Sequence, residues 1–314
     1  MRYLFIGSSD YGLPALQKLI QNGCMPSLII SQPAKPAGRN LHLTLTPVAR
    51  FAKEHNLPLI TPEDINAGES IAKMAEQKAD IIITAAFGGY LGKKIRCLCP
   101  LGAINLHPSL LPEYRGASPI QSALLNGETQ TGNTIYRMTA KMDAGPILAQ
   151  AKFSIAENET CSELQERLAE QAATLLWLFW KMLKGAKKLS GEKQDEKQAS
   201  YCFKITKSSR QINWQKTVTE IHNQIRAFSL TPGAWTLFRN KELKVLSSEK
   251  TTEPVNDEPG LIGAIDNDAG FFVNCLDYKL LIKKVQPAGK KVMTASAFIN
   301  GARIREKEIL GREK

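Results

Sequence analysis

Short apolar runs alternate with helical patterns through the first half of the chain. Arg2–Ile6 reads as a strand ended by the turn Gly7-Ser-Ser-Asp10, and Leu13–Ile20 as an amphipathic helix. Ser27–Ser31 reads as the next strand. Thr46 and Pro47 have the forms of an N-cap and a first helical residue, which predicts a helix reaching about Glu54. Asp80–Phe87 is a continuous apolar run, the pattern of a central strand buried on both faces. Gly102–Leu106 is a shorter strand. This repetition implies an α/β domain on a doubly wound, mostly parallel sheet. Thr160-Cys-Ser-Glu163 has the form of a capping box. A long helix follows it, with Leu164, Leu168, Leu175, Phe179, Met182 and Leu183 at roughly helical spacing. Trp177 and Trp180 are expected to pack on the core from its last turns.

The pattern changes over Lys184–Ser200, where Lys, Glu, Gln, Ser and Gly replace apolar residues, as in a linker. Beyond it a helical pattern over Val218–Phe228 gives way to short alternating segments. These are Trp235–Phe238, Leu243–Leu246, Leu261–Ile265, Phe271–Cys275 and Leu280–Val285, separated by Asn, Asp, Gly and Lys turns. Such strands predict a small β-barrel of the OB-like kind, a fold that often binds nucleic acid. The expected organisation is a catalytic domain over 1–184, a linker over 185–204 and the barrel over 205–314.

Charge sharpens this division. The formal net charge of the 314 residues is +11. Residues 1–180 carry +1 of it, residues 181–200 carry +3, and residues 201–314 carry +7. A near-neutral half joined to a basic half points to a polyanionic partner held by the second half. Of the six cysteines only Cys97 and Cys99 are close, and a lone C-x-C lacks the paired spacing of a zinc site. They read as free thiols in a reducing compartment. Tyr3-Leu-Phe-Ile6 is too short for a secretory signal, and no stretch approaches a membrane span. A cytoplasmic protein is expected.

The most informative chemistry is Asn105-Leu-His107, followed by Ser109-Leu-Leu-Pro112, with Asp143 further on in Met142-Asp-Ala-Gly145. An amide can steady a developing oxyanion, an imidazole can handle protons, and a carboxylate can hold the imidazole in one tautomer. That is a set for moving an acyl group onto an amine. No Ser or Cys motif reads as a nucleophile, which favours direct transfer between two bound substrates. Asn105, His107 and Ser109 follow a predicted strand and are expected at its carboxyl end, where open α/β sheets place ligands. Gly7-Ser-Ser-Asp-Tyr-Gly12 lacks G-x-G-x-x-G and any Lys-Ser/Thr ending, so it reads as a tight turn, not a phosphate loop. His42, His55, His107 and His222 show no metal-ligand spacing, and no metal is expected.

The segment Ile104-Asn-Leu-His-Pro-Ser-Leu-Leu-Pro-Glu-Tyr-Arg-Gly-Ala-Ser-Pro-Ile120 resembles the core of the 10-formyltetrahydrofolate-dependent formyltransferases. The resemblance extends over nearly the whole length. Gln32-Pro-Ala-Lys-Pro-Ala-Gly-Arg39 is similar to the family's loop after the second strand. Arg226-Ala-Phe228, Pro232-Gly-Ala-Trp235, Gln286-Pro-Ala-Gly-Lys-Lys-Val-Met293 and Asn300-Gly-Ala-Arg303 resemble the C-terminal domain of the tRNA-directed branch. Three places depart from the family. Ala34 stands where an Asp is usual, Asn40-Leu-His42-Leu43 stands where Gly and lysines are common, and Gly7-Ser-Ser9 replaces Gly-Thr-Pro.

The resemblance implies the formyltransferase fold, with 10-formyltetrahydrofolate as formyl donor. It implies as acceptor the α-amino group of methionine carried by initiator tRNA, and a monomeric enzyme. Asn105 and His107 are then expected to stabilise the oxyanion and assist proton movement, with Asp143 orienting His107. The pterin is expected near Phe87, Gly88, Gly89 and Tyr90 and near Ser109, Leu110, Leu111 and Pro112. Arg39 is a candidate contact for the acceptor end of the tRNA. Lys283, Lys284, Lys290 and Lys291 are candidates for its phosphates. Other readings stay open. A small-amine or sugar formyltransferase would keep the first domain without requiring the basic second one, and a formyl-folate hydrolase would pass the group to water. A non-enzymatic RNA-binding protein would not require the Asn105, His107 and Asp143 set.

Overall fold

The structure is a computed structural model that describes residues 1–37, 42–255 and 257–312. The chain forms two compact units.

The first unit comprises residues 1–119, 130–154 and 165–202. Its strands in chain order are β1 (Tyr3–Gly7), β2 (Leu28–Ile30), β3 (Lys35–Ala37), β4 (His42–Thr44), β5 (Leu59–Ile60), β6 (Ile81–Ala85), β7 (Ala103–His107), β8 (Arg115–Gly116), β9 (Gln130–Arg137), β10 (Ile147–Ser154) and β11 (Tyr201–Cys202). Helices α1 (Leu13–Gln21), α2 (Pro47–Glu54), α3 (Gly68–Glu76) and α4 (Lys93–Arg96) lie among them. Seven strands make the main sheet in the order β10-β9-β7-β6-β1-β2-β5. From β7 to β5 every pair is parallel, the doubly wound core that the strand–helix alternation predicts. Strands β1 and β6 are buried along their whole length, as two-faced cover by helices requires. The antiparallel strands β9 and β10, which the apolar-run reading passes over, complete one side. Residues of β10 alternate between half-buried and exposed, so they form no apolar run.

Local signals act where expected. The Thr46 side chain accepts from Ala49 N at 3.1 Å, and Pro47 opens α2. Helices α5 (Pro119–Leu125) and α6 (Cys161–Met182) follow in the chain. At the start of α6, Glu163 Oε2 accepts from Thr160 N while Thr160 Oγ1 accepts from Glu163 N, a reciprocal capping box. The buried stripe of α6 differs from the one predicted. It runs through Leu164, Leu168, Ala172, Leu176, Phe179 and Trp180, whereas Met182 is 78% exposed. Two adjacent leucines, Leu175 and Leu176, allow two phases, and packing selects the one that turns Trp180 edge-on to Tyr3 at 5.2 Å.

The second unit comprises residues 120–129, 155–164 and 203–314. After α7 (Val218–Phe228) come β12 (Ala234–Phe238), β13 (Lys241–Pro254), β14 (Ile262–Asp266), β15 (Gly270–Asn274), β16 (Tyr278–Pro287), β17 (Met293–Thr294) and α8 (Ala295–Ala302). The strands form an antiparallel sheet in the order β12-β13-β16-β15-β14, with β17 on β16. All five anticipated strands are present. Strands β12 and β14 share no ladder among the described residues, so the pairing is an open path and not a closed ring. Strand β13 outruns its apolar segment by eight residues because Ser247–Pro254 is polar and half-exposed, yet it still pairs with β16. Ile221, Ile225 and Phe228 of α7 pack with Val245, Phe271, Ile282 and Phe298 in the core.

His222 lies buried on α7, with Nδ1 3.1 Å from Ser248 Oγ. Burial, then the charges of Arg226 and Lys250, push it down to about 4. A base held below its unfolded value of about 6.5 binds protons more readily when unfolded. Its contribution is therefore intact above pH 6.5 and is lost as pH falls from there through about 4. At roughly 1.4 kcal/mol per unit, the full loss is about 3 kcal/mol. Urea unfolding of the wild type and His222→Gln at pH 7 and pH 4.5 checks this. The wild type should lose stability relative to the variant, and a pH-independent gap contradicts it.

Candidate active site

Asn105 and His107 are the third and last residues of β7, two apart and so on one face of the sheet. The strand runs through His107 instead of ending at Leu106, so both side chains stand on the sheet itself and only Ser109 lies beyond it. Register does the rest. Asn105 pairs with Thr84 of β6 on one side and with Tyr136 of β9 on the other. Thr84 Oγ1 lies 2.6 Å from Asn105 Oδ1, Asn105 Nδ2 donates to Tyr136 OH at 3.2 Å, and Tyr136 OH donates to Asp143 Oδ1 at 2.6 Å. A side-chain amide has two N–H groups. With Oδ1 toward Thr84 and one N–H on Tyr136, the amide is locked with its second N–H available to a substrate.

Asp143 is brought to this row by the loop between β9 and β10. Its backbone is left-handed, at φ 49°, a conformation that costs energy for a non-glycine residue. Gly145 makes the loop possible, because a Cβ there would lie 1.7 Å from the carbonyl oxygen of Arg137. The carboxylate is held at Oδ2 by Gly116 N at 2.8 Å and at Oδ1 by Tyr136. Burial, then the charge of Asp143, hold the Tyr136 phenol well above its ordinary value, so it stays a donor.

His107 is 4% exposed. Its Nε2 lies 2.9 Å from the carbonyl oxygen of Tyr114. A carbonyl only accepts, so Nε2 carries the proton and Nδ1 presents a lone pair. Nδ1 faces Asp143 Oδ2 at 3.8 Å, too far for a hydrogen bond. The structure thus brings the pair together, but the bond that fixes the tautomer goes to Tyr114. Burial pushes His107 below its ordinary value, and Asp143 and the Tyr114 carbonyl partly offset this. The ring is therefore a neutral base beside a carboxylate.

The other candidate residues divide by placement. Ser109 is buried and its Oγ donates to the Glu113 carbonyl at 2.6 Å, while Leu111 is buried in the core, so both build the loop after β7. Leu110 and Pro112 are half-exposed. Gly88, Gly89 and Tyr90 are exposed and Phe87 half-buried just beyond β6, the neighbour of β7. Gln32 Nε2 donates to the Phe87 carbonyl at 2.8 Å and steadies that turn. A Cβ on Gly89 would meet the Phe87 ring at 2.8 Å, so the turn keeps its bare backbone open to a flat ligand. Arg39 and Asn40 lie outside the described residues. In the second unit Lys283, Lys284, Lys290 and Lys291 are all exposed, and Lys283 pairs with Glu249 at 3.0 Å. Lys290 also lines a cavity of about 560 Å³ with Arg239, Lys241, Met293 and Phe298.

Thr84 and Tyr136 are functional candidates that sequence reading misses. Their only signal is strand register, which links positions that are far apart along the chain. Tyr136→Phe removes the hydroxyl shared by Asn105 and Asp143. It is expected to lower kcat about tenfold or more, since small misplacements of catalytic groups are costly. Steady-state kinetics with both substrates checks this, and an unchanged kcat contradicts it.

A mixed sheet thus gathers an amide, an imidazole and a carboxylate at one strand end, side chains suited to acyl transfer. The formyl transferase family model matches residues 1–178, and that of the formyl transferase C-terminal domain matches residues 204–303. The chain belongs to the formyl transferase family. Relatives matched over nearly their whole length include methionyl-tRNA formyltransferases. That of Thermotoga maritima is 39% identical over 306 residues, covering 98% of this chain and 97% of the relative. That of Bacillus subtilis is 35% identical over 311 residues, covering 99% and 98%. Among solved structures, the N-formyltransferase from Helicobacter canadensis in complex with folinic acid and dTDP-3-aminofucose shares the fold. Its TM-score is 0.66 at 20% identity, with 91% of this chain and 98% of that one covered.

Proposed function

We propose that this chain transfers the formyl group of 10-formyltetrahydrofolate to the α-amino group of methionyl initiator tRNA. The observation that carries this is the locked amide of Asn105, with one N–H left over beside a neutral His107 and the Asp143 carboxylate. Full-length similarity to methionyl-tRNA formyltransferases and the basic stretch 201–314 select the acceptor.

An α-amino group titrates near 7.7–8.0, so roughly a tenth to a sixth is neutral at pH 7, enough to attack without a base. Its nitrogen attacks the formyl carbon, and the carbonyl oxygen becomes an oxyanion that accepts the free N–H of Asn105. The new ammonium loses one proton toward His107 Nδ1, where Asp143 steadies the imidazolium. The bond between the formyl carbon and N10 of the folate then breaks, and N10 takes up that proton. The products are the formamide on the tRNA and tetrahydrofolate, so no nucleophile from the protein is consumed. The exposed glycine turn after β6 and the half-exposed Leu110 and Pro112 would flank the pterin. Asn105 and His107 would meet its formyl group.

Six free thiols suit a reducing compartment, and we take the protein to act as a cytoplasmic monomer. Sedimentation at the dimer mass would overturn the monomer. Incubation with a radiolabelled formyl donor and charged initiator tRNA, small free amines or no acceptor tests the activity. Label is expected on the charged tRNA. Label on small amines, or formate alone, would overturn the reading.

A further inference from the structure

Residues 179–203 fall between the two stretches that match the family, and their polar composition reads as a tether. The first unit uses part of this segment differently. Glu192 and Ile147 exchange two backbone hydrogen bonds, each 2.8 Å, just past the loop that carries Asp143. Gln194 is 4% exposed. Its Nε2 donates to the carbonyl oxygens of Asp143 and Gly145, at 2.8 and 2.7 Å. Its Oε1 accepts from Arg115 Nε and Nη2, at 3.0 and 2.8 Å. Arg115 is fully buried, and its guanidinium continues to Glu196, which also accepts from Lys141. Further along, β11 pairs with β8, whose Gly116 N holds the Asp143 carboxylate.

A side-chain amide offers two donors and two acceptor lone pairs, and Gln194 uses all four. The Asp143 carbonyl belongs to the peptide before Ala144 and the Gly145 carbonyl to the peptide before Pro146, so one amide holds the loop backbone at two places. The loop has little burial of its own, because Lys141 and Met142 are exposed and Asp143 and Ala144 only half-buried. Hydrogen bonds, more than packing, therefore decide where the carboxylate stands.

We propose that Gln194 is a positioning residue for formyl transfer, anchored on buried Arg115 and holding the Asp143 loop against His107 and Asn105. The proposal rests on the transfer reading above. Asp143 faces the base His107, and Gln194 acts only through Asp143.

Gln194→Glu separates anchoring from positioning. The carboxylate keeps both acceptor contacts to Arg115 but turns the two donors into acceptors facing carbonyl oxygens. Gln194→Met, of similar length and neutral, supplies a second variant should the first fail to fold. Either folded variant is expected to lose about 10²-fold in kcat, the scale of a small misplacement, with KM for both substrates little changed. A readout independent of activity is the ¹⁵N NMR titration of the His107 ring. The groups facing that ring are Asp143, the Tyr114 carbonyl and the Tyr136 ring. Asp143 favours the imidazolium, so its displacement should move the His107 midpoint lower. Wild-type kcat together with an unchanged His107 midpoint in a folded variant overturns the positioning role. A wild type that fails to formylate the tRNA overturns the transfer reading instead, and the titration still decides whether Gln194 places Asp143.

Discussion

Replacing Asn105 with alanine is expected to slow formyl transfer by about 10²–10³-fold, the usual cost of losing one oxyanion donor. Binding of charged tRNA should be unchanged, because the variant removes a group that meets the reacting oxygen and not the RNA. The neighbours make this a clean test. Thr84 and Tyr136 each give up one partner, but Tyr136 still donates to Asp143 and Thr84 still reaches the Ile104 carbonyl at 3.0 Å. Single-turnover transfer with labelled donor measures the effect. His107→Ala should give a loss of the same order, through the base and not the oxyanion. Near-wild-type single-turnover rates in either variant would refute the assigned roles.

The second large effect is expected from the basic surface. Lys284, Lys290 and Lys291 are exposed on and after β16, and no ion pair is seen for them among the described residues. Changing all three to alanine should weaken tRNA binding about tenfold or more near physiological salt. It should also reduce the slope of log affinity against log salt by about three, near one for each phosphate no longer neutralised. Lys283 differs because Glu249 already pairs with it, so Lys283→Ala should change the slope less. A triple variant with an unchanged salt slope would place the tRNA elsewhere. Charge substitution is a better probe than truncation. Removing residues from 203 onward would strip residues 120–129 and 155–164 of their own unit, where Arg226 Nη1 reaches the carbonyls of Ala156 and Glu159.

Features that depend on neighbours in sequence are the legible ones. The Thr46 cap, the Thr160 capping box and the α7 span follow from residues within a few positions of each other. Asn105 and His107 are legible as chemistry because they are two apart on a strand. Tyr136 is not, because it meets Asn105 only through the antiparallel register of β9 on β7. The tautomer of His107 escapes the sequence for a related reason. A carboxylate partner is visible as a residue type, whereas the Tyr114 carbonyl that takes Nε2–H belongs to the backbone and leaves no mark in the sequence. The segment around Gln194 is hidden by composition. A polar stretch with few apolar residues looks like a tether unless a buried arginine such as Arg115 waits for it.

At the Asn105 and His107 site the formyl group is expected to pass directly from the folate to the tRNA-borne amine. Rapid quenching of a single turnover with labelled 10-formyltetrahydrofolate and charged initiator tRNA tests it most directly. Label is expected to pass from folate to N-formylmethionyl-tRNA with none on the protein at any time. A labelled protein intermediate, or loss of label to formate with no labelled tRNA, would contradict it.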